Sequence, residues 1–162
     1  AAWFTVPARY SPNRISQDRT MFELKSAYLD LEAIDEGKWM PVGSEYEGFE
    51  IYARGLTSPD AEKLRNHLRR TAPKSDRESN GKISEEAEDN ILRTVVAREC
   101  VKDWRGIYDD GKPVPFTPET LEGLMKLRDA RKIASAIVNT IVALENTTVA
   151  AEETVSGNSE AS

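Results

Sequence analysis

The sequence contains very few of the residues that build metal centres and nucleophilic active sites. It has one histidine, His67, and one cysteine, Cys100, among 162 residues. A single cysteine cannot form an internal disulfide framework and is typical of a reducing cytosol. The familiar zinc spacings need several Cys or His residues, and a Ser or Cys nucleophile with a histidine base would have to use His67. We therefore expect no metal, no cofactor and no enzymatic activity.

Long apolar runs and nucleic-acid signatures are missing as well. No segment approaches the roughly 18 consecutive apolar residues that suggest a membrane span. Residues 1–7 are too few and turn polar too soon to form a signal peptide. The net charge is −6, and neither a glycine-rich phosphate loop nor aromatic residues interleaved with basic ones occur. We expect neither a membrane nor a nucleic acid as a partner.

The composition predicts one domain with loose ends. Hydrophobic residues make up 39% of the chain and charged residues 31%, which fits a soluble domain with a modest core. Residues 1–20 mix aromatic residues, proline and arginine without a period, and we interpret them as an irregular N-terminal arm. Residues 146–162 are acidic and too poor in apolar side chains to offset their ordering entropy, so a disordered acidic tail is predicted. The domain then covers 21–145.

Periodicity within 21–145 predicts a mainly α domain with a small β-hairpin, an α+β fold. Residues 21–36 fit a single helix and a short strand followed by a helix equally well, and both remain open. Phe49 and Ile51 alternate with Glu50 and Tyr52, which predicts a hairpin over about 38–54. Helical spacing predicts helices over about 58–70, 84–103, 117–127 and 129–144.

Capping residues and apolar stripes sharpen these helix predictions. The side chains placed to cap the helices are Ser58, Ser84, Thr117 and Asp129. The polar segment 71–82 is expected to be a mobile loop. The helices at 84–103 and 129–144 carry the widest apolar stripes. Cys100 lies on the first of these stripes, so we expect it to be a small buried apolar residue rather than a nucleophile.

Residues 104–119, here called the elbow, separate two predicted helices. Asp110-Gly111 supplies turn chemistry, and the two prolines that follow enforce an extended path. At 117–119, Thr-Pro-Glu provides an N-cap, a proline at the first helical position and a negative charge near the helix N-terminus. Phe116 is spaced to pack on Leu121 as a hydrophobic staple. The pattern predicts a fixed helix–turn–helix corner with an aromatic residue at each end.

The elbow also resembles a known family. The order Trp-x-Gly, a short acidic gap, Asp-Gly-x-Pro-Val-Pro-Phe-Thr-Pro-Glu and a leucine-rich helix is similar to the tail assembly chaperones of long-tailed, non-contractile phages. The resemblance covers about 37–144 and does not include the arm. It is strongest at Trp104, Gly106, Asp110, Gly111, Pro113, Val114, Pro115, Phe116, Pro118 and Glu119.

The resemblance implies a protein that binds the tape measure protein, keeps its long hydrophobic helix soluble and brings tail tube subunits to it. It also implies action in the host cytoplasm and absence from the mature virion. The alternative from another class is a structural head–tail connector or tail-completion protein of the virion. That alternative requires a stable place in the mature particle.

Two groups of residues are the candidates for contacts with such partners. Within 54–82 there are eight Lys and Arg residues against four Asp and Glu residues, in an otherwise acidic chain. This excess fits a solvated helix face, and it also fits a docking patch for an acidic partner. The candidates are the elbow residues Trp104, Ile107, Tyr108 and Phe116 and the basic face formed by Arg65, Arg69 and Arg70.

Overall fold

The computed structural model describes residues 21–149, which form an α+β fold with a small antiparallel sheet, as the sequence predicted. The arm expected over 1–20 lies outside the described residues. The helices and strands are, in chain order, α1 (Leu31–Glu36), β1 (Lys38–Pro41), β2 (Glu50–Ala53), α2 (Pro59–Arg70), α3 (Glu85–Val95), β3 (Val101–Arg105), β4 (Tyr108–Asp109), β5 (Lys112–Pro113), α4 (Pro118–Lys126) and α5 (Arg131–Glu145).

The ambiguous segment 21–36 is neither a single helix nor a strand followed by a helix. It contains a 3₁₀ turn at Leu24–Ala27 and then the short helix α1. The carboxylate of Asp30 caps α1 by accepting a hydrogen bond from the backbone N–H of Ala33. The α-helix therefore begins only after Asp30, whose side chain caps its first turn.

Three strands form the main sheet in the order β1-β2-β3. β1 and β2 pair antiparallel within the segment where the sequence predicted a hairpin, and Trp39 lies opposite Tyr52. β3 pairs antiparallel with the other edge of β2, and Ile51 lies opposite Trp104. The sheet is thus completed by a strand that is separated from β2 by the 47 residues 54–100.

The long helix predicted over 84–103 is wrong at its C-terminal end. α3 continues as a π-helical turn over Val96–Cys100, and the chain then enters β3. The pairing of β3 with β2 shifts at Lys102, which forms a bulge. Because of this extra residue, Val101 and Trp104 both point into the core although they are three positions apart. A three-residue spacing of buried side chains is also typical of a helix, which explains why the sequence predicted one here. Because β3 and the β4–β5 hairpin precede α4, the elbow is a strand–hairpin–helix connection and not a helix–turn–helix corner.

Two of the four proposed capping side chains cap as the sequence suggested. The Ser84 hydroxyl accepts a hydrogen bond from the N–H of Ala87, and the Thr117 hydroxyl accepts one from Thr120. Ser58 occupies the N-cap position of α2, but its hydroxyl donates to the Gly55 carbonyl. Asp129 is wrong as a cap, because it lies within a 3₁₀ turn and α5 begins after Ala130 without a side-chain cap.

Several carbonyl groups in and beside the segment 71–82, for which the sequence predicts a mobile loop, accept hydrogen bonds from one side chain. The Arg77 guanidinium donates to the carbonyl oxygens of Arg69, Ala72 and Gly81, at 2.8, 3.3 and 3.0 Å. Arg77 also forms a β-bridge with Ile83. A guanidinium carries five donors in a fixed plane, so it can satisfy several loop carbonyls at once.

The predicted start of the disordered tail at 146 is too early. The Thr147 carbonyl accepts a hydrogen bond from the N–H of Asp30, and the N–H of Val149 donates to the carbonyl of Tyr28. Leu29 and Thr148 form an antiparallel bridge between these bonds. The chain is therefore ordered through Val149 by pairing with the segment that precedes α1, and residues 150–162 lie outside the described residues.

The core lies between the sheet and helices α3, α4 and α5. Its fully buried large residues include Ile51, Val95, Leu121, Ile137, Ile141 and Leu144. Cys100 is buried at the junction of the π turn and β3, as expected from the apolar stripe. Burial raises the pKa of its thiol to about 12, and the Glu145 carboxylate adds to the effect.

Candidate functional site

The elbow is organised around Trp104, which is only 6% exposed. Its ring packs edge-to-face on Phe49 and on Phe116, with centroid separations of 6.2 and 5.1 Å. Its indole N–H donates to the carbonyl of Val114 at 2.7 Å, and the Val114 N–H donates to the Ile107 carbonyl at 3.0 Å. Trp104 therefore fastens the elbow to the sheet and offers almost no surface to a partner.

The backbone of the elbow depends on glycine at two positions. Gly106 has φ +79°, and a Cβ atom there would lie 1.8 Å from the carbonyl oxygen of Gly48. Asp110 and Gly111 have φ values of 48° and 73° in the turn between β4 and β5. Two positive φ values are typical of the type I′ turn that closes a two-residue hairpin. The Trp-x-Gly and Asp-Gly elements of the sequence are thus explained by backbone geometry.

The remaining elbow candidates differ in exposure. Ile107 and Phe116 are half-buried and pack against the core. Tyr108 is 64% exposed on β4. Among the four elbow residues named from the sequence, Tyr108 alone presents most of its side chain to solvent.

The three arginines of the basic face on α2 are only partly available for contacts with a partner. Arg69 forms an ion pair with Glu88 of α3 at 3.0 Å, which joins the two helices. Arg65 is half-buried, and its buried Nε atom has no hydrogen-bond partner among residues 21–149. Arg70 is exposed. Within residues 21–149, no hydrogen bond, ion pair or ring contact links these arginines to the elbow candidates, so the structure does not bring the two groups into one site.

A cleft of about 470 Å³ is a further candidate, and its individual residues were not identified from the sequence. It lies between α3, the C-terminal end of α4 and the first half of α5, and α4 contacts both of the other helices. These helices include the two apolar stripes that the sequence singled out. The apolar side chains lining the cleft are Leu92, Met125, Leu127, Ala134 and Val138.

The rim of the cleft is strongly basic. Four cationic side chains and one carboxylate line it: Arg93, Lys126, Arg128, Arg131 and Asp89. Lys126 pairs with Glu122, whereas Arg93, Arg128 and Arg131 make no ion pair with any residue in 21–149. Sequence reasoning missed these arginines because they lie on three separate elements and form no run. Their common environment exists only once the helices have packed.

A second apolar surface extends along the segment before α1. Large exposed side chains follow one another there: Met21, Phe22, Leu24, Tyr28, Leu29 and Leu31. Contiguous exposed apolar surface is typical of interaction sites. The chain leads from this surface directly into residues 1–20, which are outside the described range.

The described residues form neither a metal site nor a helix that could span a membrane. Across 21–149, no group of three or more His, Cys, Asp or Glu side chains is arranged to hold a metal ion. None of the helices in this part of the chain combines the length and the apolar character needed to cross a membrane.

Comparison with known families identifies the origin of the chain. The family model described as YdaY prophage protein matches residues 56–158, well over half of the 162 residues. The chain belongs to the YdaY prophage protein family. It is therefore a phage-derived protein. No curated protein and no solved structure matches it.

The family match includes the cleft and the elbow but not the start of the sheet. It begins after β2, so α2 to α5 and β3 to β5 lie within it, whereas α1, β1 and β2 precede it. Every residue that lines the cleft falls inside the matched range. The cleft is thus a feature of the part of the chain that defines the family membership.

Proposed function

We propose that this phage protein is a tail assembly chaperone that binds and solubilises the tape measure protein and recruits tail tube subunits during tail morphogenesis. The proposal combines the elbow sequence, on which the resemblance to such chaperones rests, with the phage origin of the family. It assigns a binding role without a catalytic step, cofactor or metal. The protein would act in the host cytoplasm and be absent from the mature virion.

The observation that carries the proposal is the apolar cleft between α3, α4 and α5. A long tape-measure helix exposes apolar surface until tube subunits cover it, and such surface promotes aggregation. An amphipathic helix is commonly shielded by placing its apolar face in a hydrophobic groove. Leu92 and Val138 are half-buried and Leu127 is 58% exposed, so the cleft offers accessible apolar side chains at its centre and its edge.

The basic face on α2 supplies a candidate second surface for tube subunits. Arg70 is exposed, and Arg65 is partly accessible. A cluster of cations steers an acidic partner during encounter and fixes its orientation more than it adds affinity. Separate surfaces for the two partners would let one chaperone hold both at once.

Co-expression followed by sedimentation tests the proposal. The tape measure protein of the same prophage is expressed alone, with this chain, and with a Ser135→Trp variant that places a bulky ring at the cleft. Ser135 is exposed and lines the cleft. The matched control is Asn66→Trp, at an exposed position on α2. We expect the soluble fraction to rise severalfold with the native chain and the control, and to fall with Ser135→Trp.

Two observations together would contradict the chaperone proposal. If the tape measure protein is equally insoluble with and without the chain, and mass spectrometry finds the chain in purified virions, the chaperone proposal is wrong. A structural head–tail connector or tail-completion role would then replace it.

A further inference from the structure

The charges around the cleft specify its ligand more narrowly than its apolar lining does. Arg93 reaches it from α3, Arg128 from the turn before α5 and Arg131 from the start of α5. Within residues 21–149, none of the three forms an ion pair, while Arg69, Arg98 and Lys132 elsewhere on the helices each pair with a carboxylate. In a chain with a net charge of −6, carboxylates for pairing are abundant. These three cations nevertheless form no ion pair within residues 21–149, and Asp89 is the single carboxylate among the residues that line the cleft.

The position of two of these arginines is electrostatically unfavourable for the fold. Arg131 is the first residue of α5, and Arg128 lies in the turn just before it. The N-terminus of a helix carries partial positive charge, so cations there are repelled. The first turn of α5 contains no acidic residue, and the nearest carboxylate in the sequence is Asp129 in the preceding turn. Lys132, the second residue of α5, is paired with Glu45. The same partial charge would add to the attraction of an anion placed in the cleft.

The apolar residues that line the cleft favour a ligand with apolar surface over a purely ionic ligand. Met125 and Ala134 are buried beneath the cleft, and Leu92 and Val138 line its sides. A phosphate-rich ligand would leave this apolar surface uncovered, whereas a helix with an apolar stripe would cover it. Guanidinium groups at the rim match carboxylates, with which they form paired hydrogen bonds.

We propose that the cleft binds an amphipathic helix of a partner protein in which Asp or Glu residues flank the apolar stripe. The inference rests on the proposed function in that the tape measure protein would supply the helix. The apolar stripe would contact the residues between α3 and α5, and the flanking carboxylates would reach Arg93, Arg128 and Arg131. Selection by charge would distinguish this helix from host segments that are equally apolar but basic.

Direct binding of synthetic peptides to the purified full chain tests the inference without the tape measure protein. The probe is a fluorescent 18-residue helical peptide, a length of about five turns, with leucine on one face and glutamate on both flanks. Its matched control keeps every leucine and replaces each glutamate by lysine. Fluorescence anisotropy measures both affinities, and the glutamate peptide is expected to bind at least roughly tenfold more tightly.

A pair of charge-reversal variants assigns the binding to the rim. Arg128→Glu combined with Arg131→Glu should weaken the glutamate peptide by roughly tenfold or more, because two attractions become repulsions, and should strengthen the lysine peptide. Lys74→Glu combined with Lys82→Glu makes the same change in net charge at exposed positions outside the cleft. This control should leave both affinities within about twofold of the native values at physiological salt.

Three outcomes would overturn the inference. Equal affinity for both peptides, or loss of binding in the control variant, would show that the rim does not select acidic helices. If no peptide binds until residues 150–162 are deleted, the acidic tail is the occupant and the external helix is not. Failure here combined with tape-measure solubilisation would leave the chaperone proposal standing and remove only the charge selection. Selective peptide binding without solubilisation of the tape measure protein would support the charge selection and contradict the chaperone proposal.

Discussion

The elbow and the cleft differ in the way their side chains are used. At the elbow, the aromatic ring of Trp104 is buried, its indole N–H is satisfied, and Gly106 allows close approach to β2. Around the cleft, arginines without ion pairs within 21–149 surround apolar residues that solvent can reach. The part of the chain with the most recognisable sequence motif is therefore held in place by its own packing, whereas the binding surface that we propose is formed by residues without a motif.

This difference follows from how strongly each type of residue destabilises the fold when it has no interaction partner. A buried indole or a positive-φ backbone position destabilises the fold unless its surroundings satisfy it, so its neighbours in sequence are constrained. An exposed arginine costs little in any surroundings, so nothing in its local sequence reveals its role. Substitutions in the two regions should therefore differ in their effects on the free energy of unfolding, and the largest effects are expected at the elbow.

Gly106→Ala should have the largest effect. The added Cβ would lie 1.8 Å from the Gly48 carbonyl oxygen, and the residue would keep φ +79°, so β3 must move away from the loop before β2. We expect a loss of about 4 kcal/mol or more in the free energy of unfolding, measured by urea denaturation. Gly123→Ala is the matched control, because nothing lies within 4 Å of a Cβ there. In the helical position of Gly123, alanine should stabilise by about 0.5–1 kcal/mol. A loss below about 1 kcal/mol for Gly106→Ala would show that the elbow is not rigidly held.

Cys100, at the buried end of the π turn that leads into the elbow, should make stability fall at high pH. Its folded-state pKa is about 12, whereas an unfolded cysteine has a pKa near 8.5. Between these values the unfolded chain loses the proton first, so the folded state binds more protons and stability decreases as pH rises. The expected loss is about 2–3 kcal/mol between pH 8.5 and 10.5. In urea denaturation over the same pH range, the Cys100→Ala variant should lose less stability than the native protein, and the difference should equal that amount. Equal losses in both proteins would place the thiol in contact with solvent.

Phe116→Ala should have an intermediate effect. The ring is half-buried and packs edge-to-face on Trp104 at 5.1 Å. Truncation should therefore cost about 1–2 kcal/mol, less than a fully buried phenylalanine. Tyr108→Ala removes an aromatic ring from the same elbow at an exposed site and should change stability by less than about 0.5 kcal/mol. If the two variants were equally stable, Phe116 would belong with Tyr108 as a partner-binding candidate.

The sequence predicted the elements whose signals are local. The α+β class followed from periodicity and turn residues, and Ser84 and Thr117 cap the helices that they were expected to cap. The third strand was missed because the bulge at Lys102 gives Val101 and Trp104 a helical spacing. A two-residue alternation fails whenever an extra residue interrupts the pairing.

The candidate site was predictable only in outline. Apolar stripes identified the helices that would form a groove, but the positions of Arg93 and Arg128 relative to Val138 depend on how α3, α4 and α5 pack. A motif with tryptophan and glycine is typical of close packing as well as of binding, so the sequence did not show that Trp104 would be buried. Partner contacts of Tyr108 and the α2 arginines remain predictions.

The smallest effect on stability is expected at the cleft, and its sign should be opposite to that at the elbow. Arg128→Glu combined with Arg131→Glu breaks no ion pair with residues 21–149 and places negative charge at the N-terminus of α5, which the helix dipole favours. We expect the free energy of unfolding to rise by about 0.3–1 kcal/mol in low salt and by less in high salt. The same variant should bind the glutamate peptide poorly. A gain in stability together with a loss of binding would mean that the native arginines are maintained at a cost to the fold, as expected of residues that serve a partner. A loss of more than about 1 kcal/mol would instead give them a structural role like that of Trp104, and the distinction between the two regions would fail.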